Sequence, residues 1–166
     1  MLAPSRRSLT ALLIAFATSS LGLSACADRN CTLVGCVSEP VTVVLLSPNW
    51  MPLEPAVYEL AFELNGARYT TTCSATPAEQ SCDSVAGEPQ DFGVSVFVTT
   101  NNQIRINVTS DTPDLLPDDF RVEVSVAGSL VVEESGAFEY DESQPNGPGC
   151  EPTCRSSDGA FVFVEL

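Results

Sequence analysis

The chain has 166 residues, with 7 basic and 22 acidic side chains, 7 cysteines, no histidine and a formal charge of −15; every basic residue is an arginine. Such a surface repels phosphate backbones, because the electrostatic attraction that drives nucleic-acid binding has the wrong sign here. The missing imidazole removes Ser-His-Asp and Cys-His mechanisms and most zinc and iron sites.

In chain order, the first element is a targeting segment. Arg6 and Arg7 precede the mostly apolar run "LTALLIAFATSSLGL", followed by the small residues Ser24 and Ala25 and then Cys26. This is the charged, apolar and small-residue order of a signal peptide. The run is about 15 residues, short of the roughly 20 a spanning helix needs. "LSAC" (Leu23 to Cys26) resembles the lipobox of bacterial lipoproteins. That resemblance implies cleavage before Cys26, a diacylglyceride thioether on its sulfur and usually an added N-acyl chain. "SRRSLT" is similar to a weak twin-arginine export signal, but a positive leader needs arginines in any case, and ordinary secretion is the expectation. Inner-membrane retention in lipoproteins often goes with Asp directly after the lipidated cysteine. Ala27 stands there, so the outer membrane is expected over the inner. Cleavage leaves five arginines against 22 acids, a net charge of −17. Anionic headgroups would repel that total, so the lipid does the anchoring.

Taking Cys26 for lipid leaves Cys31, Cys36, Cys73, Cys82, Cys150 and Cys154 for disulfides, the expected state of exported cysteines. If Cys31 is bonded to the domain, the free tether Ala27–Asn30 holds it within roughly 20 Å of the lipid at about 3.5 Å per residue.

Beyond Cys36 the pattern is strands and turns. "VTVVLL" (41–46) is a single strand. In "VYELAFEL", Tyr58, Leu60, Phe62 and Leu64 alternate with Glu59 and Glu63, and Asn65-Gly66 then predicts a two-residue hairpin turn into "ARYTTTC". A second hairpin pairs Phe92, Val94, Val96 and Val98 with Ile104, Ile106 and Val108 across Asn101-Asn102. A third runs from Phe120, Val122, Val124 and Val126 through Gly128-Ser129 into "LVVEESGAFEY". "GAFVFVEL" is the last strand. With no sustained helical period after the leader, the expected fold is all-β. It is a two-sheet antiparallel β-sandwich, Ig-like or transthyretin-like, of about eight strands, behind an N-terminal signal helix. A closed barrel is the runner-up. The domains read as a signal peptide over 1–25, lipid attachment and a short tether over 26–37, and the sandwich over 38–166. The long acidic, proline-rich stretches 47–55, 76–90, 110–120 and 141–154 read as loops.

Cys73 and Cys82 are predicted to form a local disulfide, because Pro77 helps the intervening loop turn back. First and last strands of many sandwiches run parallel and side by side. That places Cys31 and Cys36 at the same end as Cys150 and Cys154, and predicts long-range bonds between the two pairs. Which cysteine joins which stays open, as does the local alternative Cys31–Cys36 with Cys150–Cys154.

Chemistry-bearing groups are few. "GPGCEPTCR" has three residues between its cysteines and no helix start to lower a thiol pKa, so a structural disulfide is expected there. Asp111, Asp114, Asp118 and Asp119 offer carboxylates to calcium, but their spacing departs from the EF-hand rule and a solvated turn is expected. Trp50, the sole tryptophan, reads as a lid on the core. The stretches "CTLVGC" and "YDESQPNGPGCEPTCR" loosely resemble small cysteine-containing lipoproteins of unknown function from GC-rich Gram-negative bacteria, which implies a small β-sandwich and no activity. The expectation is a lipid-anchored envelope protein with a structural or protein-interaction role. No catalysis, cofactor, metal or nucleic acid is expected, and the membrane is a partner through Cys26. The alternatives are a module binding sugar, peptide or calcium, and a carboxylate-based hydrolase, whose two acids would face each other some 5 to 9.5 Å apart.

Overall fold

The computed structural model describes residues 35–36, 39–112 and 115–166. These lie in one unit, Cys31–Leu166. The leader, the lipidation position Cys26, Cys31 and Asp114 lie outside the described residues.

Alternation along the described residues becomes twelve strands. They are β1 (Val41–Leu46), β2 (Ala56–Leu64), β3 (Ala67–Thr76), β4 (Glu79–Cys82), β5 (Ala86–Gly87) and β6 (Gly93–Val98), then β7 (Ile104–Thr109), β8 (Asp119–Val126), β9 (Ser129–Ala137), β10 (Asp141–Ser143), β11 (Cys154–Ser156) and β12 (Ala160–Phe163). One sheet has the order β12-β1-β7-β6. The other runs β4-β3-β2-β8-β9, with β5 also on β3, and β10-β11 form a separate ribbon. All pairs are antiparallel except β1 with β12, which run parallel as expected of first and last strands.

The two inner faces share one interior cluster. Val41, Val43, Leu45, Ile104, Ile106, Val108 and Val162 come from the four-stranded sheet. Tyr58, Leu60, Phe62, Leu64, Val122 and Val124 come from the other. The period of two puts each set on one side, and the fold is an all-β sandwich. Among the described residues the edge strands β6 and β12 pair with no strand of the opposite sheet, so the barrel does not close. None of their helices is long and apolar enough to cross a membrane.

The first hairpin turns at Asn65 (φ 48°) and Gly66 (φ 77°), as predicted. The third turns at Ala127 (φ 51°) and Gly128 (φ 75°), with Ser129 already paired to Val126. The expected Gly128-Ser129 turn is thus one residue too late. A type I′ turn needs positive φ at both central positions, and Gly128 takes the second of them. The second hairpin is not a two-residue turn. Val98 pairs with Ile104, and the loop between them closes through Thr99 N–H to the Gln103 carbonyl (2.8 Å) and Asn102 N–H to the Thr99 carbonyl (2.9 Å). Asn102 (φ 53°) then donates its side-chain amide to the Leu53 carbonyl at 2.6 Å.

Two stretches expected to be loops contain strands. Residues 76–90 hold β4 and β5, and residues 141–154 hold β10 and the first residue of β11. β4 returns along β3 in a tight hairpin across Pro77-Ala78, whereas β11 depends on a partner distant in the chain. β4 is registered on β3 with Cys73 opposite Cys82. β11 is held by Cys36–Cys154, whose Cα atoms are 5.4 Å apart.

Candidate functional site

Six cysteines were expected in disulfides. Cys73–Cys82 forms, across neighbouring strands 4.0 Å apart at Cα. Cys36–Cys154 forms across a separation of 118 residues. It is the long-range arrangement, in the pairing opposite to Cys36 with Cys150. Cys150 is also disulfide-bonded, and its partner lies outside the described residues. The bond at Cys154 makes "GPGCEPTCR" a structural staple.

Of the four carboxylates weighed for calcium, where a solvated turn is the expectation, Asp114 lies outside the described residues. Asp118 accepts Arg155 Nη2 at 3.1 Å. The backbone N–H groups of Asp118 and Asp119 donate to Asn65 Oδ1 at 2.9 and 3.4 Å. Among the described residues no three acidic, cysteine or histidine side chains gather as metal ligands. Arg155 also lies 4.0 Å over the ring of Tyr140, whose hydroxyl donates to the Pro117 carbonyl at 2.6 Å. Burial pushes the Tyr140 phenol up to about 12. Proline and acid spacing around residues 110–120 and 141–154 reads as loop, and nothing in it signals this clasp between β11 and the approach to β8.

The outer face of the larger sheet is charged. Arg68 bridges Glu63 and Glu123, each at 3.1 Å, and Arg121 bridges Glu123 (3.2 Å) and Glu133 (2.7 Å). Beside this network lies a cavity of about 490 Å³ lined by Glu59, Thr70, Thr72, Asp83, Ser84 and Glu123, among others. Thr71 Oγ1 and Thr72 O hold the Asp83 backbone over it, at 2.9 and 2.8 Å.

The outer face of the four-stranded sheet is different. Thr42, Val44 and Leu46 alternate away from the interior of β1, yet Val44 is 8% exposed and Leu46 0%. Phe161 is registered beside Val44 and Phe163 beside Leu46. Beyond Ser47 the chain folds back, with Ser47 N–H donating to the Met51 carbonyl at 3.1 Å. Asn49 (φ 61°) and Trp50 (φ 64°) take left-handed backbone conformations. The fold-back sets the Trp50 ring edge-on against Phe161 and Phe163, 4.8 and 5.7 Å between centroids. Trp50 is therefore not a lid on the core, as expected. It packs on the outside of the sheet and stays 61% exposed, with Phe161 and Phe163 near half. An aromatic side chain has about 150–250 Å² to cover, so three half-covered rings leave on the order of 300 Å² of joined apolar surface. That is the size of the largest apolar patch on an ordinary monomer, and such patches are often functional. The sequence flagged Trp50 but not its face, because alternation in "FVFVEL" cannot say which of two apolar sets points inward.

Register continues this surface across the sheet. One row reads Phe161, Val44, Arg105, Phe97 and the next reads Thr42, Asn107, Ser95. Neither row contains an acid. No protein-family model matches the chain, and neither a curated protein nor a solved structure matches it.

Proposed function

We propose that this chain is a lipoprotein of the bacterial envelope, tethered through Cys26, in which the sandwich works by contact and not by catalysis. The leader and "LSAC" support the anchor. The observation that carries the contact role is the exposed Trp50–Phe161–Phe163 cluster, three aromatic rings in mutual contact on the outside of a sheet. Structural disulfides suit an oxidising compartment, and Ala27 after the anchor favours the outer membrane. A second reading, binding of a sugar or peptide, is favoured by the hydroxyl- and acid-lined cavity over Thr70, Thr72 and Asp83. A carboxylate hydrolase would use the same cavity.

Two experiments test the proposal. With Cys26→Ala, radiolabelled palmitate should fail to incorporate and the precursor should stay uncut; normal labelling refutes the anchor. A photo-crosslinking residue at position 161 should capture an envelope neighbour, lipid or protein, in intact cells, while one at Thr70 should not. Capture from Thr70 alone favours the cavity reading.

A further inference from the structure

The geometry points to the bilayer surface itself as the occupant of the aromatic face, an inference that rests on the anchor at Cys26. The alternation of β12 brings one exposed acid, Glu165, to this face just past Phe163. The net charge of −17 argues against lipid headgroups only if the acids are spread evenly. They are not: no Asp or Glu occurs in the two outward rows of the four-stranded sheet, while Glu59, Glu63, Glu123 and Glu133 crowd the opposite face of the sandwich. Packed sheets lie about 10 Å apart, and outward side chains add to that. The far acids are then well beyond the Debye length of about 8 Å at physiological ionic strength.

The remaining charge has the right sign. Among the described arginines, Arg68, Arg121 and Arg155 are engaged in ion pairs and Arg105 is not. Arg105 is exposed in the row between Val44 and Phe97. A second copy of the chain meeting this face with its own would offer no carboxylate from those rows to Arg105, and burying an unpaired guanidinium is costly. A headgroup phosphate offers the missing partner. Trp50, Phe161 and Phe163 have the amphipathic or apolar rings that settle at the headgroup level.

The tether permits this pose. Ten residue steps separate Cys26 from Cys36, at most about 35 Å of chain, and Cys36 is fixed to Cys154 beside the approach to β12. The six residues of β1 span about 20 Å, so the sheet face and the acyl chains can share one surface. Anchoring makes the contact intramolecular, and a weak affinity then suffices. The acid-rich face and its cavity would point away from the membrane, open to soluble partners.

Trp50 is the only tryptophan and reports on its own surroundings. The acylated protein is purified from membranes, its mass is measured, and it is reconstituted into vesicles of phosphatidylethanolamine and phosphatidylglycerol. A parallel set has dibrominated phosphatidylcholine replacing part of the phosphatidylethanolamine. Docking predicts loss of most Trp50 emission in the brominated set and protection from aqueous acrylamide in both. Arg105→Glu should restore emission and Arg105→Lys should not. Emission insensitive to bromine with free acrylamide access overturns docking and leaves the anchor standing. Protection from acrylamide without bromine quenching means that protein covers the face, and also overturns it. A chain without acyl mass refutes the anchor and the inference built on it.

Discussion

At Trp50 the backbone sits at φ 64°, directly after Asn49 at φ 61°. Left-handed conformations cost L-residues about 1–2 kcal/mol, and a bulky side chain is a rare occupant. The strain sets the indole against Phe161 and Phe163 while leaving it mostly in water. Trp50→Gly relieves the backbone and removes the ring contacts. The two effects should nearly cancel, within about 1 kcal/mol by urea denaturation followed by circular dichroism. A loss above about 3 kcal/mol would make the ring a structural cover of the kind whose truncation empties a core. Gly159 is the opposite case. It has φ 80°, and a Cβ there would collide with the Thr42 carbonyl. Gly159→Ala should cost at least about 2 kcal/mol, visible as a lowered unfolding midpoint; an unchanged midpoint would place β12 differently beside β1.

The tyrosines carry a pH prediction at the same scale. Burial pushes Tyr58 and Tyr140 up to about 12 and raises Tyr69 as well. Unfolded tyrosine ionises near pH 10. Between about pH 10 and 12 the native chain therefore binds more protons than the unfolded one, so stability falls as pH rises through that window. Below it, these groups leave stability independent of pH. Phenolate absorbance should appear together with loss of the native dichroism. Ionisation of Tyr58 or Tyr140 near pH 10 in a folded chain would contradict their burial.

At the scale of elements, Cys73–Cys82 joins β3 to a β4 that buries almost nothing, with the pattern exposed, exposed, exposed, intermediate. Replacing both cysteines with serine should cost about 2–3 kcal/mol for a ring of this size and speed amide exchange in β4 first. Equal protection in β4 with and without the bond would show that its backbone pairing suffices. The same element explains what could be read in advance. β2, β7 and β8 were legible because each buries alternate large apolar residues, β1 because it is an apolar run, and β3 because Asn65-Gly66 announces the turn into it. β4, β5, β10 and β11 were not, because they are short, polar and held from outside. Cys82 binds β4 to the neighbouring β3, Cys154 binds β11 to distant chain, and Arg155 clasps Tyr140 and Asp118. A period of two can announce a buried face but not a strand made by its neighbours. The aromatic surface fell in the same gap, since Val44, Leu46, Phe161 and Phe163 are as apolar as the interior they turn away from.

At the scale of the whole molecule, the Cys36–Cys154 bond ties the start of the domain to β11, next to last in the chain, and closes a loop of more than a hundred residues, worth about 5 kcal/mol in the chain-entropy picture. Met51 is the one methionine left after cleavage at Cys26. Cyanogen bromide without reductant should therefore cut there and leave two fragments joined. Separation before reduction would contradict the bond. The claim underneath all of this is acylation of Cys26, and the mass and N-terminal residue of the protein extracted from its native membranes test it most directly. The expected result is a chain that begins at Cys26 and carries the added mass of acyl chains on that residue. A chain that begins elsewhere, or an unmodified Cys26, would contradict it.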